Sequence, residues 1–254
     1  MMKFIKTIFS LLLLTSGNLF AQAVQNLGTN NTLNLPGVSV NIGSNGNLVN
    51  TVELITIFTV LTLAPAFIIL CTSFTRIIIV LSFTRQAIGT QNLPPNQLLI
   101  GFALFLSIFV MAPTGKVIYQ DAITPYLAKK IDAMDALMLM EKPLRTFMTK
   151  YIRANDLSLF YDVTGDPRPD KIDDVPIHYL IPAFIISELK TSFQIGFLLY
   201  VPFLVLDMVV AAVLMAMGMM MLPPVVISFP FKLLLFVMVD GWQLITGSLL
   251  RSFG

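Results

Sequence analysis

Six charged side chains interrupt the otherwise apolar C-terminal third of the chain, and these residue types could carry chemistry there. From residue 175 to residue 254 the acids and bases are Glu188, Lys190, Asp207, Lys232, Asp240 and Arg251. A charge at the centre of a membrane helix costs roughly 2.5–3.5 kcal/mol on insertion scales. These helices must therefore pack against other protein or line a polar path. The charges either hold helices or subunits together as ion pairs, or Glu188, Asp207 and Asp240 relay protons or ions.

The numbers of acids and bases favour static pairing over a relay. Both signs occur in comparable number in this region. Glu188 and Lys190 are two residues apart and therefore lie on nearly opposite faces of a helix. Because they cannot satisfy each other, we expect each to find a partner on another helix.

A methionine cluster lies between Asp207 and Lys232, in a run that carries no charge. Its members are Met215, Met217, Met219, Met220 and Met221. Gly218 and the Pro223-Pro224 pair interrupt the helix on either side, which predicts a protruding loop. Methionine is apolar, unbranched and able to repack, so this loop is a candidate for the seal of a pore. The alternative is flexible filler at a helix end. The residues predicted to form the seal are Met217, Met219, Met220 and Met221.

Motifs for catalysis or metal binding were not found in the sequence. The chain has one histidine, His178, and one cysteine, Cys71, and it contains no GxSxG, HExxH, Walker or GxGxxG motif. An acid-rich stretch near residue 172 lacks the spacing and the closing glutamate of a calcium loop. We therefore expect no enzymatic activity, no cofactor and no metal site.

Composition places the chain in the membrane class. Hydrophobic residues make up 56% of the sequence and charged residues 12%, and a net charge of +2 argues against nucleic acid as a main partner. Residues 1–23 have the basic start, short apolar core and Ala-x-Ala site of a secretory signal peptide. Residues 24–50 are rich in Asn, Gly, Thr and Ser, which predicts a flexible exported tail.

Hydrophobic periodicity divides the rest of the chain into three parts. Residues 51–117 hold two apolar helices, predicted near 54–75 and 98–117, and Arg76 and Arg85 are placed in the cytoplasmic loop between them by the positive-inside rule. Residues 118–178 form a charged, soluble insertion on the exported side. It contains a helix with an apolar stripe, followed by a turn-rich loop at 159–176. Residues 179–254 form a helical hairpin, with helices near 181–206 and 225–250 and the methionine-rich loop at its tip.

Three stretches resemble the flagellar biosynthesis protein FliP family, which includes the SctR export-gate proteins of injectisomes. They are residues 73–113, PAFIISELKTSFQIGF at 182–197 and FPFKLLLFVMVDGWQLI at 229–245. The likeness extends over essentially the whole chain after residue 50, and the flagellar branch is favoured.

The resemblance implies an all-α membrane protein of tilted helical hairpins with a soluble helical insertion. Several copies assemble with FliQ- and FliR-like membrane subunits into a helical pore complex. That complex is the entry pore of the flagellar type III export gate, in the bacterial inner membrane at the basal body, and it passes unfolded flagellar subunits. The resemblance also implies that residues 217–221 line the closed pore and that Glu188 and Lys232 form a contact between neighbouring copies. The alternative function is an ion-coupled secondary transporter.

Overall fold

The computed structural model of the chain describes residues 32–35, 38–41, 58–59, 62–63, 66–67, 69–90, 93–219 and 221–254. These residues fall into two units, 1–65 and 66–254. The predicted signal peptide at 1–23 lies outside the described residues, as does most of the predicted tail.

The first unit contains a short antiparallel hairpin within the segment predicted as a flexible tail. Strand β1, Thr32–Leu35, pairs with β2, Val38–Asn41, in a register that places Thr32 opposite Asn41. The sequence analysis did not predict these strands. Alternation of apolar and polar residues is typical of strands, but four residues give too short a signal in such a polar segment. Residues 58–59 and 62–63, in the first predicted apolar segment, are helical.

All the regular secondary structure described in the second unit is helical, which confirms helices at each apolar segment from residue 98 onward. The helices are α1 (Phe74–Ile88), α2 (Asn96–Val110), α3 (Ala112–Ile118), α4 (Thr124–Leu127), α5 (Ala133–Tyr151), α6 (Ala154–Thr164), α7 (Ile177–Ala216), α8 (Pro224–Met238) and α9 (Gly241–Arg251). A π-helical turn, Tyr119–Ile123, joins α3 to α4, and a 3-10 turn, Ile172–Asp174, precedes α7.

Helix α7 is long and apolar enough to cross a membrane by itself. Among the described residues it alone passes that test, with 40 residues. The pair α8 and α9 passes only when joined across a 63° bend, and Asn96–Val110 with Ala112–Leu127 passes only across a 62° bend. The described residues therefore offer up to three spans. The helices predicted near 98–117 and 225–250 are each divided in two by a bend that was not predicted. The breaks lie at Met111, two residues before Pro113, and at Asp240, whose backbone is left-handed.

Two predicted loops are helical instead. Arg76 and Arg85 belong to α1 rather than to a cytoplasmic loop, and Arg76 is buried. The first part of the predicted loop at 159–176 is the end of α6, which stops at Gly165 in a left-handed conformation (φ 75°). Glycine adopts this conformation without steric cost and commonly ends helices.

The apolar stripe of the insertion is exposed in the single chain. Of its predicted members, Leu127, Met134, Leu137 and Met138 are each at least 60% exposed, and Ile131 is half-buried. Only Ala136 in the first part of α5 is buried. An exposed apolar patch within a charged segment is typical of a surface that contacts other protein.

The core lies between α1 and α7, which pack along each other. Ile77, Val80 and Leu81 of α1 are fully buried, as are Leu180 and Phe184 of α7. The two helices approach closely at Gly196, where a Cβ atom would lie 2.6 Å from the ring of Phe83 and 3.0 Å from the Phe83 Cβ. A side chain at position 196 would therefore push against an atom fixed to the α1 backbone.

We predict that Gly196→Ala destabilises the fold by about 1–3 kcal/mol, because the added methyl group overpacks the α1–α7 contact. Gly101→Ala in α2 is the matched control, since nothing lies within 4 Å of the position that its methyl group would take. That control should be neutral or stabilising by about 0.5–1 kcal/mol. The free energy of unfolding in mixed detergent micelles measures both effects. Equal stability of the two variants would contradict close α1–α7 packing.

Candidate functional site

Arg76 and Glu188 form a buried ion pair between α1 and α7. The side chain of Arg76 is 4% exposed and that of Glu188 is fully buried. Arg76 Nε donates to Glu188 Oε2 at 2.8 Å, and Arg76 Nη2 donates to Oε1. This two-pronged geometry is the strongest arrangement available to arginine and a carboxylate. The expectation that Glu188 finds its partner on another helix is confirmed.

The remaining face of Arg76 joins two further segments to this pair. Its Nη1 donates to the carbonyl oxygen of Ser252 at 3.0 Å and to Ser252 Oγ at 3.1 Å. Its guanidinium carbon lies 4.0 Å from the ring centre of Phe253 and 5.2 Å from that of Tyr151. The Tyr151 hydroxyl donates to the Phe253 carbonyl at 2.6 Å. Arg76 thus holds α1, α7, the end of α5 and the C-terminal residues together.

A second ion pair joins the two arms of the C-terminal hairpin. Lys232 Nζ of α8 donates to Asp207 Oδ2 of α7 at 2.6 Å, and Ser228 Oγ donates to the other carboxylate oxygen. The Lys232 side chain is 2% exposed and that of Asp207 is 23% exposed. The pair therefore fixes α8 against α7 below the methionine loop.

The other two predicted intramembrane charges differ from these pairs. Lys190 is half-exposed and lies 4.0 Å from Asp156, at the limit of an ion pair. Asp240 lies at the bend between α8 and α9, and within the described residues its carboxylate has no hydrogen bond or ion pair. The structure therefore does not bring Glu188, Asp207 and Asp240 into one site. Across the described residues, no group of three or more His, Cys, Asp or Glu could hold a metal ion.

The predicted contact between Glu188 and Lys232 is absent within the single chain. Each residue pairs with a different partner on the same chain, Arg76 and Asp207 respectively. The argument that an unpaired charge needs a neighbouring copy therefore does not apply to either residue. The contact between copies stays a prediction, and it now requires that both residues exchange partners.

Arg76 is the residue that sequence reasoning missed. Its charge was used only to assign a cytoplasmic loop, although the run RIIIVL that it begins continues the apolar pattern. An arginine inside such a pattern is a signal for a buried partner. Glu188 follows 112 residues later, and no local rule connects the two.

The methionine loop protrudes at the tip of the α7–α8 hairpin. The described seal residues are all exposed: Met217 by 60%, Met219 by 46% and Met221 by 98%. Met220 lies outside the described residues. Gly218 allows the chain to leave α7 through a left-handed conformation (φ 75°), and Pro223 precedes α8. This exposure in the single chain favours a contact with other molecules over a role as core filler.

The sequence model of the FliP family matches residues 57–249, which include α1 to α9 up to Leu249. The chain belongs to the FliP family. This match covers both ion pairs and the methionine loop, whereas Ser252 and Phe253, which contact Arg76, follow its end.

Individual relatives agree with this assignment over most of their length. The flagellar biosynthetic protein FliP of Bacillus subtilis (strain 168) is 55% identical over 207 residues, which are 82% of this chain and 94% of that protein. The protein of the same name from Borreliella burgdorferi is 47% identical over 92% of this chain and 93% of its own. The flagellar biosynthetic protein FliP of Aquifex aeolicus is 41% identical over 96% of this chain and 98% of its own length.

For this FliP-family chain we predict that Arg76→Met lowers the free energy of unfolding by about 3–5 kcal/mol, because Glu188 is left buried without a partner. The double variant Arg76→Met/Glu188→Leu should regain most of this loss. Arg168→Ala is the control, because its pair with Asp162 is more than half exposed. It should cost less than about 1 kcal/mol. Unfolding in mixed detergent micelles measures all three, and a double variant no more stable than Arg76→Met would contradict the pairing argument.

Proposed function

We propose that the chain is a core, non-enzymatic subunit of the flagellar type III protein-export gate in the bacterial inner membrane. It forms the wall and the seal of an entry pore through which unfolded flagellar subunits pass. Several copies assemble with FliQ- and FliR-like membrane subunits at the basal body, and the charged insertion at 118–178 lies on the exported side. Family membership supports the flagellar role, and the exposed methionine loop carries the proposal for the pore.

The loop has the properties that a deformable seal requires. Its side chains are apolar, exposed and attached to a hairpin that an ion pair holds rigid. Several such loops around an axis would exclude water and ions by apolar contact. Unbranched side chains can move aside for a passing polypeptide of variable shape. A rigid hairpin with deformable methionine side chains at its tip therefore accounts for both the closure of the pore and the passage of a polypeptide.

Apolar surface on the long helix supports assembly with other subunits in the membrane. Only 11% of the most apolar window of α7 is buried within the chain. Phe197 and Leu198 of this helix are 68% and 70% exposed. Such faces must contact lipid or neighbouring protein. The ion-coupled transporter is not favoured, because Glu188 and Asp207 are each paired directly with a base and no line of free carboxylates results.

We further propose that Glu188 and Lys232 meet between neighbouring copies once the complex forms. In the single chain both are held by other partners, so the contact requires an exchange in which Arg76 and Asp207 give up these ion pairs. Arg76 keeps its bonds to Ser252 in that exchange, and Asp207 keeps its bond to Ser228. Until a neighbouring copy binds, the pairs within the chain would keep Glu188 and Lys232 from being buried as unpaired charges.

We expect Glu188→Cys on one copy and Lys232→Cys on a differently tagged copy to be joined by a short bis-maleimide crosslinker in the assembled complex, because the crosslinker replaces the length of the two side chains that a direct disulfide would lack. The matched control is Arg76→Cys with Glu188→Cys on one chain, which the same reagent should link within that chain. Non-reducing gel electrophoresis of the purified complex distinguishes the two products. A Glu188/Lys232 pair that never links copies, while the control pair reacts, would disprove the contact.

We predict that shortening Met219, Met220 and Met221 to alanine opens an ion leak without preventing assembly. Ions should pass because the apolar side chains that close the pore are gone. Bulky, rigid replacements such as phenylalanine should instead reduce export. Ion permeability of cells carrying the assembled complex is the measurement, together with its abundance.

Met208→Ala and Met238→Ala are the controls for the seal, since both methionines are exposed on helices outside the loop. Neither control variant should raise the ion permeability of the cells. A normally assembled triple variant that stays tight to ions would refute the seal.

A further inference from the structure

Two basic side chains lie close together on α7, where its exposed face changes from polar to apolar. Arg153 Nη2 donates to Thr191 Oγ1 at 3.1 Å and to Gln194 Oε1 at 2.7 Å, so its guanidinium rests against α7. Lys190 lies four residues before Gln194, and side chains four apart on a helix are neighbours on the same face. Arg153 and Lys190 therefore share one area of surface, which we call the basic patch.

Both bases of the basic patch keep donors that are not used within the chain. Among the described residues no hydrogen bond engages Nε or Nη1 of Arg153, and neither atom is fully buried. The Lys190 side chain is half-exposed, and its Nζ lies 4.0 Å from Asp156 Oδ1, at the limit of an ion pair. The other carboxylate oxygen of Asp156 accepts from Ser187 Oγ at 2.7 Å. With two bases beside one acid, the patch keeps a net positive charge that faces outward.

An exposed apolar stripe, the α7 stripe, continues from the basic patch along the same face of the helix. Phe197, Val201 and Met208 follow Lys190 at helical spacing and are 68%, 40% and 64% exposed. Residues 195–206 carry no charge, and at a rise of about 1.5 Å per residue they extend roughly 18 Å. The hydrocarbon of one bilayer leaflet is about 15 Å thick. This run is therefore long enough to face the acyl chains of one leaflet, with the basic patch at its edge.

We propose that the basic patch binds the phosphate of a phospholipid, whose acyl chains lie along the α7 stripe. A phosphate accepts hydrogen bonds from arginine and lysine and offsets their charge. The sequence of charge and then hydrocarbon along α7 matches that of a phospholipid, and a membrane surrounds the helix with this ligand. The proposal rests on the proposed function only in requiring that α7 crosses a membrane, and it does not depend on a pore.

The test is photo-crosslinking of the complex purified in mild detergent, with a photoreactive amino acid in place of Phe197. The complex is titrated with dioleoyl-phosphatidylglycerol, and the yield of lipid adduct gives the half-saturating concentration. Lys190→Gln and Arg153→Gln should each raise that concentration roughly fivefold, because each removes one charge that faces the phosphate.

Lys171→Gln is the matched control, since it removes the same charge from an exposed residue in the loop before α7. It should leave the half-saturating concentration unchanged. Arg153→Gln also gives up side-chain bonds to α7, whereas Lys190→Gln alters a half-exposed side chain that makes no close pair. Lys190→Gln therefore decides the question if the other variant fails to fold.

Two further probes separate the phosphate from the hydrocarbon. Dioleoylglycerol has the same acyl chains without the phosphate, and it should need a concentration higher by roughly tenfold or more to give the same yield. Inorganic phosphate carries the charge without the chains, and at the same concentration it should not displace the lipid.

Any of three results would overturn the proposal: Phe197 adducts with a second copy or another subunit alone, a half-saturating concentration that both variants leave unchanged, or labelling by dioleoylglycerol as strong as that by phosphatidylglycerol. In a complex that contains other membrane subunits, these results would refute the lipid site and leave the proposed function standing. A chain that purifies with no other membrane protein would refute the proposed function, while a lipid adduct that depends on Lys190 would still support the site.

Discussion

The buried pair of Arg76 and Glu188 is the interaction on which the rest of the structure depends. Two charges in an apolar interior are tolerated only when every donor and acceptor finds a partner. Arg76 meets this requirement by bonding to α7, to the C-terminal residues and to an aromatic pair that includes the end of α5. These four segments are far apart in sequence, so one guanidinium fixes their relative positions. Lys232 and Asp207 form a second ion pair, which joins the two helices of the hairpin that carries the methionine loop.

The buried charges of the described residues find partners within the chain, whereas much apolar surface is exposed. The outer faces of α7 and α8, the tip of the insertion and the methionine loop are exposed. Hydrophobic surface of this extent is stable only against lipid or other protein. A subunit built in this way holds its shape by ion pairs and close helix packing, and it leaves its apolar faces for assembly.

Much of the fold could be predicted from the sequence, and the part that could not depends on distant contacts. Long apolar segments identified the helices after residue 98, and Gly218 with the two prolines identified the methionine loop. The bend at Met111 had a local signal in Pro113 that was not used, whereas aspartate gives little warning of the left-handed backbone at Asp240. The loop assigned to Arg76 was wrong because its partners are 112 and 176 residues away. Pairing was expected for Glu188 from charge alone, but only the folded chain shows with which base.

Native mass spectrometry of the detergent-extracted complex tests the central claim most directly. If the chain is a core subunit of an export gate, its mass should appear several times in one particle together with other, smaller membrane proteins. Dissociation in the gas phase should then release those proteins separately. A particle that contains only this chain, or a single copy with no membrane partner, would contradict the account.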